Sequence, residues 1–193
     1  MPPSLFIERL HDVVQRSGSR PAIIDRGLTA LNYAELWQLS GRVASCLTTQ
    51  GISTRSVVGL ALHKSPEMIA AIVGCWRVRA AYVPLDPTLP AARLRSIVDD
   101  ADASLILSNR CECDVSQFST NGHLIDWAEC LASEPIEHTY ANGIAHDLAW
   151  VIFTSGTTGR PRGVQVEQAG FVNVLDTQRR AFGIETSSRV LQL

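Results

Sequence analysis

Short apolar segments alternate with helical segments along most of this chain, and that alternation limits the folds open to it. A strand is predicted at residues 57–62, and a helix follows from Ser65 and Pro66, where serine can cap and proline suits the first turn. A second helix is predicted over 91–101, followed by a strand at 105–107. Such alternation is typical of folds in which helices flank a largely parallel sheet. The sequence therefore predicts a layered α/β fold.

Composition indicates one globular domain. The chain has 193 residues, of which 46% are hydrophobic and 19% charged, and these are values of folded domains rather than disordered ones. The 17 basic and 19 acidic residues give a net charge of −2, and no basic face is evident. Nucleic acid is therefore not an expected partner.

The pattern of apolar residues predicts neither a signal peptide nor a membrane span. The start of the chain, Met1–Arg9, lacks a basic segment followed by an apolar one. The longest strongly apolar run, Met68–Trp76, is far too short to cross a bilayer and indicates a buried helix. We therefore expect a cytoplasmic protein without membrane contact.

The five cysteines give no metal site and no disulfide framework. Cys46 and Cys75 lie in apolar helical patterns and are predicted to be buried thiols. Cys111 and Cys113 lie near His123, but no second ligand pair has a spacing typical of zinc sites. We predict no bound metal on protein ligands, and we assign no catalytic residue.

The segment Thr154–Gly163 carries the most chemistry in the chain. It reads Thr-Ser-Gly-Thr-Thr-Gly-Arg-Pro-Arg-Gly and lies between an apolar run at 148–153, predicted to be a buried strand, and a short strand at 164–166. Glycines let backbone N–H groups approach anionic oxygens, hydroxyls add donors, and arginine grips phosphate through paired hydrogen bonds. These residue types suit a polyphosphate ligand.

Two common phosphate-binding loops are excluded at this position. Pro161 stands where a Walker A loop starting at Gly156 would need its second glycine, and no Gly-x-Gly-x-x-Gly turn occurs. By residue types alone, an ordinary surface turn remains an alternative to a phosphate loop.

The order of residues in this segment resembles the signature loop of the adenylate-forming enzymes. In that family the loop holds the β- and γ-phosphates of ATP while a carboxylate attacks the α-phosphate. The resemblance implies a phosphate site made of Thr154, Ser155, Gly156, Thr157, Thr158, Gly159, Arg162 and Gly163. Arg162 stands where the family usually has lysine, and since a planar fork replaces a compact charge, we expect altered ATP handling.

Two upstream segments resemble the amino-acid-activating branch of that family. Ala81–Pro87 is similar to the second core motif of adenylation domains in nonribosomal peptide synthetases, where acyl-CoA synthetases usually differ. Leu31–Leu36 is similar to the first core motif, and its Asn32 is predicted to cap a helix. Asp86 is expected to be a turn or cap residue and not an acid or base. Arg79 departs from the family pattern, which has glycine there.

The resemblance covers residues 1–193 and implies the N-terminal portion of a partial adenylation domain. The family's amino-acid pocket and C-terminal subdomain follow the segment similar to Leu193, so we expect little or no activity from this portion alone. The implied reaction joins ATP and an amino acid, with Mg²⁺, into aminoacyl-AMP, which then loads the phosphopantetheine of a peptidyl carrier protein.

Two alternatives to this function remain at the level of sequence. One is a non-catalytic nucleotide-binding or interaction remnant of a synthetase, and the other is a relative of acyl-CoA synthetases. We also expect that strands lacking neighbours would leave open edges, which favour self-association and poor solubility.

Overall fold

The structure is a computed structural model that describes residues 5–25, 28–109, 123–136, 145–154 and 162–191. Strands in this part of the chain are β1 (Pro21–Asp25), β2 (Leu28–Asn32), β3 (Val57–Ala61), β4 (Ala81–Pro84), β5 (Leu105–Ser108), β6 (His123–Asp126), β7 (Leu148–Thr154) and β8 (Arg162–Glu167). Helices are α1 (Phe6–Ser17), α2 (Tyr33–Thr49), α3 (Pro66–Arg77), α4 (Ala91–Asp100), α5 (Trp127–Ala132) and α6 (Gln168–Ala181).

Six of these strands form one sheet in the order β6-β5-β3-β4-β7-β8. All neighbours pair in parallel except β7 and β8, which form an antiparallel hairpin. The hairpin joins the sheet where Tyr82 of β4 lies opposite Trp150 of β7. Strands β1 and β2 form a separate antiparallel pair. The predicted α/β fold with a largely parallel sheet is confirmed.

Local sequence signals explain where the helices begin. The Asn32 side chain accepts a hydrogen bond from the Glu35 amide at 2.8 Å, and Glu35 accepts one from the Asn32 amide at 2.7 Å, which completes a capping box. The Ser65 hydroxyl accepts a hydrogen bond from the Met68 amide, and Pro66 occupies the first helical position. These caps confirm the predicted starts of α2 and α3.

Alternating residues of the central strand face two apolar layers. Val58 and Leu60 of β3 point into a cluster with α2, α3 and α5, whereas Val57 and Ala61 point into a cluster with α4. The β3 residues are all buried, as a strand covered on both faces requires. Fully buried Leu47 and Leu94 anchor the two layers, and each such side chain contributes about 1.5–3 kcal/mol.

Helices α1 and α6 are joined by an ion pair. Arg9 of α1 donates two hydrogen bonds to the Asp176 carboxylate of α6, at 2.7 and 3.0 Å. Between these helices and the sheet lies an aromatic cluster whose ring centroids are 5.0–6.5 Å apart. Its members are Phe6, Trp76, Tyr82, Trp150 and Phe171.

Two details differ from the sequence-based expectations. Residues 81–84 form a regular strand, although the prolines of this segment indicated only an extended scaffold. Strand β7 is buried only in part, since Ile152 is 42% exposed.

The thiols of Cys46 and Cys75 are buried as predicted, whereas Cys111 and Cys113 lie outside the described residues. No described helix is both long and apolar enough to cross a membrane.

Candidate functional site

The β7–β8 hairpin carries the predicted phosphate loop. Thr154 ends β7, Arg162 begins β8, and the two lie directly opposite each other in the antiparallel register. Both residues are exposed. Of the eight predicted phosphate-binding residues, Thr154, Arg162 and Gly163 are described, whereas Ser155, Gly156, Thr157, Thr158 and Gly159 lie outside the described residues. The structure therefore brings the two ends of the predicted loop together.

Close packing explains the glycine after Arg162. A Cβ atom added at Gly163 would lie 3.0 Å from Cζ of Phe153 and 3.2 Å from Cγ1 of Val151. A larger residue would therefore require the side chains of Phe153 and Val151 to shift by a few tenths of an ångström. The preference for a small residue at this position is steric, since its backbone is an ordinary part of β8.

The base of the β7–β8 hairpin, where Asp147 leads into β7, is held by an ion pair with the turn between α3 and β4. Arg79 Nε donates to Asp147 Oδ2 at 2.7 Å and Arg79 Nη2 donates to Oδ1 at 3.0 Å, in bidentate geometry. The Asp147 side chain is only 8% exposed. The pair raises the pKa of Arg79, chiefly through its hydrogen bonds to the carboxylate.

Arg79 adopts a left-handed backbone conformation with φ of 62°. Glycine reaches this region at no steric cost, which explains why the related motif has glycine here. The ion pair with Asp147, 68 positions along the chain, had no local signal in the sequence and was missed by sequence analysis.

The start of α6 also contacts the base of the β7–β8 hairpin. The amide of Gln168 donates to the Asp147 carbonyl at 2.8 Å, and the amide of Ala169 donates to the Ala145 carbonyl at 2.9 Å. His146 Nδ1 lies 2.9 Å from Glu167 Oε2. The residues that precede β7 and the start of α6 are therefore joined by backbone hydrogen bonds.

A cavity of about 490 Å³ opens where β3 and β4 end, at the edge of the sheet where β7 ends in Thr154. Its polar lining consists of His63, Lys64 and Asp86. Asp86 Oδ1 accepts hydrogen bonds from the amide and hydroxyl of Thr88, at 2.9 and 2.7 Å, and these bonds lower the pKa of Asp86, with smaller effects from His63 and Lys64. Of the turn and cap roles predicted for Asp86, the structure shows the turn role.

The location and chemistry of the hairpin suit an anionic ligand. Ligands of open parallel sheets bind outside the carboxyl ends of the strands, and Thr154 is the carboxyl end of β7. Arg162 supplies a cation beside it. Among the described residues, no cluster of three or more His, Cys, Asp or Glu side chains could hold a metal ion.

Comparison with known proteins gives a consistent set of relatives. Residues 10–193 match the model of the AMP-binding enzyme family. The chain is 37% identical over 162 residues to a linear gramicidin synthase of Brevibacillus parabrevis, and the match covers 84% of this chain and 2% of that protein. It is also 37% identical over 173 residues to a plipastatin synthase of Bacillus subtilis strain 168, with 86% and 5% covered.

Solved structures show the same fold. The nonribosomal peptide synthetase FmoA3 superposes with a TM-score of 0.86 at 26% identity, over 97% of this chain and 20% of that one. The o-succinylbenzoate-CoA synthetase MenE of Bacillus subtilis, in complex with its acyl-adenylate intermediate, superposes with a TM-score of 0.83 at 23% identity, over 95% and 47%. The chain thus spans only a small part of the curated relatives it matches. It belongs to the AMP-binding family of adenylate-forming enzymes.

Proposed function

We propose that this chain is the ATP-phosphate-binding portion of an amino-acid adenylation domain in a nonribosomal peptide synthetase. The observation that carries the proposal is the hairpin that sets Thr154 opposite Arg162 at the carboxyl edge of the sheet. The peptide synthetases among its relatives support the amino acid as the acid that is activated.

In the proposed reaction, an amino-acid carboxylate oxygen attacks the α-phosphorus of ATP, and pyrophosphate leaves as aminoacyl-AMP forms. The hydroxyl of Thr154 and the hydroxyls and amides of Ser155–Gly159 donate hydrogen bonds to the β- and γ-phosphate oxygens. Arg162 donates two parallel hydrogen bonds to the same group. These residues hold the leaving group in line and stabilise the charge that it gains, so catalysis here is positioning and charge stabilisation.

Mg²⁺, which neutralises phosphate charge when bound, would be held mainly by the phosphates, with hydroxyl groups such as that of Thr154 as the fitting protein ligands. The thiol of a carrier protein's phosphopantetheine would then attack the aminoacyl carbonyl and release AMP.

The test is ATP binding together with amino-acid-dependent ATP–pyrophosphate exchange. Arg162→Ala removes a charged donor pair worth roughly 1.5–3 kcal/mol, so we expect ATP affinity to fall about tenfold to a hundredfold. Arg162→Lys should retain most of the affinity, because the family usually has lysine there. Arg95→Ala on α4 removes another exposed arginine and should leave ATP affinity unchanged.

The outcome of the exchange assay separates the alternatives. Exchange with any proteinogenic amino acid supports the enzyme. ATP binding that Thr157→Ala with Arg162→Ala abolishes, without exchange, supports a non-catalytic nucleotide-binding module. If the Arg162→Ala and Arg95→Ala variants both bind ATP with the same affinity as the parent chain, the loop is an ordinary turn and the proposal is wrong.

A further inference from the structure

Two buried cysteines that the proposed phosphate site does not use meet where α2 packs against α5. Cys46 lies on α2 and Cys130 on α5, and both belong to the same apolar cluster. Their side chains are hydrogen-bonded to each other. Both are free cysteines, so the two sulfur atoms are neighbours without a bond between them.

The end of α5 is held against α2 one helical turn before Cys46. Arg42 Nη1 donates hydrogen bonds to the carbonyls of Leu131 and Ser133, each at 2.8 Å. Residues four positions apart lie on the same face of a helix, so Arg42 and Cys46 both face α5. The amide of Ser133 donates to the Cys130 carbonyl at 3.2 Å, and the Ser133 side chain is a second neighbour of the Cys46 sulfur. Helix packing and hydrogen bonds therefore hold the two thiols together.

The surroundings of the two thiols make them chemically unequal. The hydrogen bond between them lowers the pKa of Cys46, and burial opposes this effect. The same hydrogen bond raises the pKa of Cys130, and burial raises it further. Cys46 is 5% exposed, whereas Cys130 is fully buried. Because the thiolate is the nucleophile, Cys46 is the member of the pair that attacks an oxidant, and Cys130 keeps its proton.

We propose that Cys46 and Cys130 form a peroxide-sensitive site, at which hydrogen peroxide converts the two thiols into a disulfide. The Cys46 thiolate attacks one peroxide oxygen, the O–O bond breaks, and the departing hydroxide takes up the thiol proton as water. A sulfenic acid remains on Cys46. The Cys130 sulfur then attacks the Cys46 sulfur, and the hydroxyl of the sulfenic acid leaves with the Cys130 proton as a second water. Two thiols are oxidised to one disulfide, and one peroxide is reduced to two waters.

A small oxidant suits this site because the pair is almost enclosed. Helix α5 has six residues, and a helix of that length is stable only through its packing. Its Leu131 side chain is 46% exposed. Local opening of such a short element requires less free energy than unfolding of the sheet. Hydrogen peroxide can therefore reach Cys46 while the rest of the fold persists.

The thiol pair is separate from the predicted phosphate loop. Helix α5 directly follows β6, and β6 and β8 are the two ends of the strand order. Helices α2 and α5, with the residue that follows α5, supply both thiols and every hydrogen bond that holds them. The proposal therefore does not rest on ATP binding.

The test is peptide mapping under non-reducing conditions after the folded chain has been treated with hydrogen peroxide. Cleavage after glutamate places Cys46 in a peptide that begins at residue 36 and Cys130 in one that begins at residue 130, and neither contains another cysteine. We expect these two peptides to be cross-linked, with a mass lower by two hydrogen atoms than their sum, and to separate in dithiothreitol. In the chain unfolded by urea, all five cysteines are accessible, so the same treatment should give several pairings.

Three alanine variants assign the roles of the cysteines. Cys46→Ala and Cys130→Ala should each abolish the cross-link. Cys75→Ala is the matched control, because Cys75 is buried in the same cluster but burial raises its pKa to about 12, and this variant should form the cross-link like the parent. Dimedone, which labels sulfenic acids, should label Cys46 far more strongly in Cys130→Ala than in the parent, because no thiol is left to consume the acid.

A folded parent chain in which peroxide leaves both thiols unreacted, or links either of them to another cysteine, would overturn the proposal. Dimedone labelling of Cys130 in the Cys46→Ala variant would overturn the assigned order of attack. The cross-linked chain should melt about 5–10 °C above the reduced chain, because the bond closes a long loop. If it melts below the reduced chain, the native packing does not accommodate the bond and the proposal is wrong.

Discussion

Arg79 makes two opposed contributions to the free energy of unfolding, and substitutions at this position can separate them. The left-handed conformation at φ of 62° costs a non-glycine residue about 1–2 kcal/mol. The bidentate ion pair with Asp147 offsets that cost. The side chains of Arg79 and Asp147 are 20% and 8% exposed. The free energy lost when this pair is broken should therefore lie between that of exposed ion pairs, about 0–1 kcal/mol, and that of buried ones, about 3–5 kcal/mol.

These values give an ordered series of stabilities. Arg79→Ala keeps the strained backbone and loses the pair, so we expect a loss of about 2 kcal/mol, which lies between those two limits. Arg79→Gly loses the pair but relieves the backbone by about 1 kcal/mol, so its loss should be about half as large. For a chain of this size, the melting temperatures should fall by about 4–8 °C and about 2–4 °C respectively.

Urea unfolding followed by far-ultraviolet circular dichroism measures the series, with one slope expected for all three chains. Equal stability of the alanine and glycine variants would refute the argument from backbone strain. A glycine variant as stable as the parent would show that the ion pair contributes no more than the strain it offsets.

Two further predictions concern the core. Gly74→Ala should cost about 1–3 kcal/mol in urea unfolding, because its Cβ would lie 2.5 Å from Cγ1 of Val43, whereas Gly170→Ala on α6, with nothing within 4 Å, should be neutral or stabilising. Burial raises the pKa of the Cys75 thiol from its ordinary value of 9.0 to about 12. Between pH 9 and pH 12 the folded chain therefore keeps the thiol proton, whereas the unfolded chain loses it. The free energy of unfolding should therefore fall as pH rises from about 9 towards 12, by up to about 1.4 kcal/mol per unit, and Cys75→Ala should flatten this slope. An unchanged slope in that variant would count against the buried thiol as its source.

What the sequence predicted well was local. Asn32 and Glu35 are three positions apart, so the cap that they form can be inferred without knowledge of the fold. The order of residues in Thr154–Gly163 was likewise sufficient for the family. Neither inference depends on which segments meet in space.

What the sequence did not predict depends on distant partners. Arg79 and Asp147 show no pattern that joins them, because an ion pair between segments needs no periodicity. Ile152 stands in an apolar run typical of a buried strand, yet it lies beside the terminal strand of the sheet and stays exposed. Periodicity reports a residue's character, whereas burial depends on whether another element covers it.

The strand order has a consequence for how the chain folds. The β7–β8 hairpin closes over a short connection, whereas its seating on β4 through Tyr82 and Trp150 closes a loop of 68 residues. Closing a loop of that length lowers the entropy of the chain, and only the contacts of the completed sheet offset this loss. Contacts between residues far apart in the sequence therefore form slowly. We therefore expect the hairpin to form early and to dock late. Until it docks, its amides should exchange with solvent far faster than those of β3.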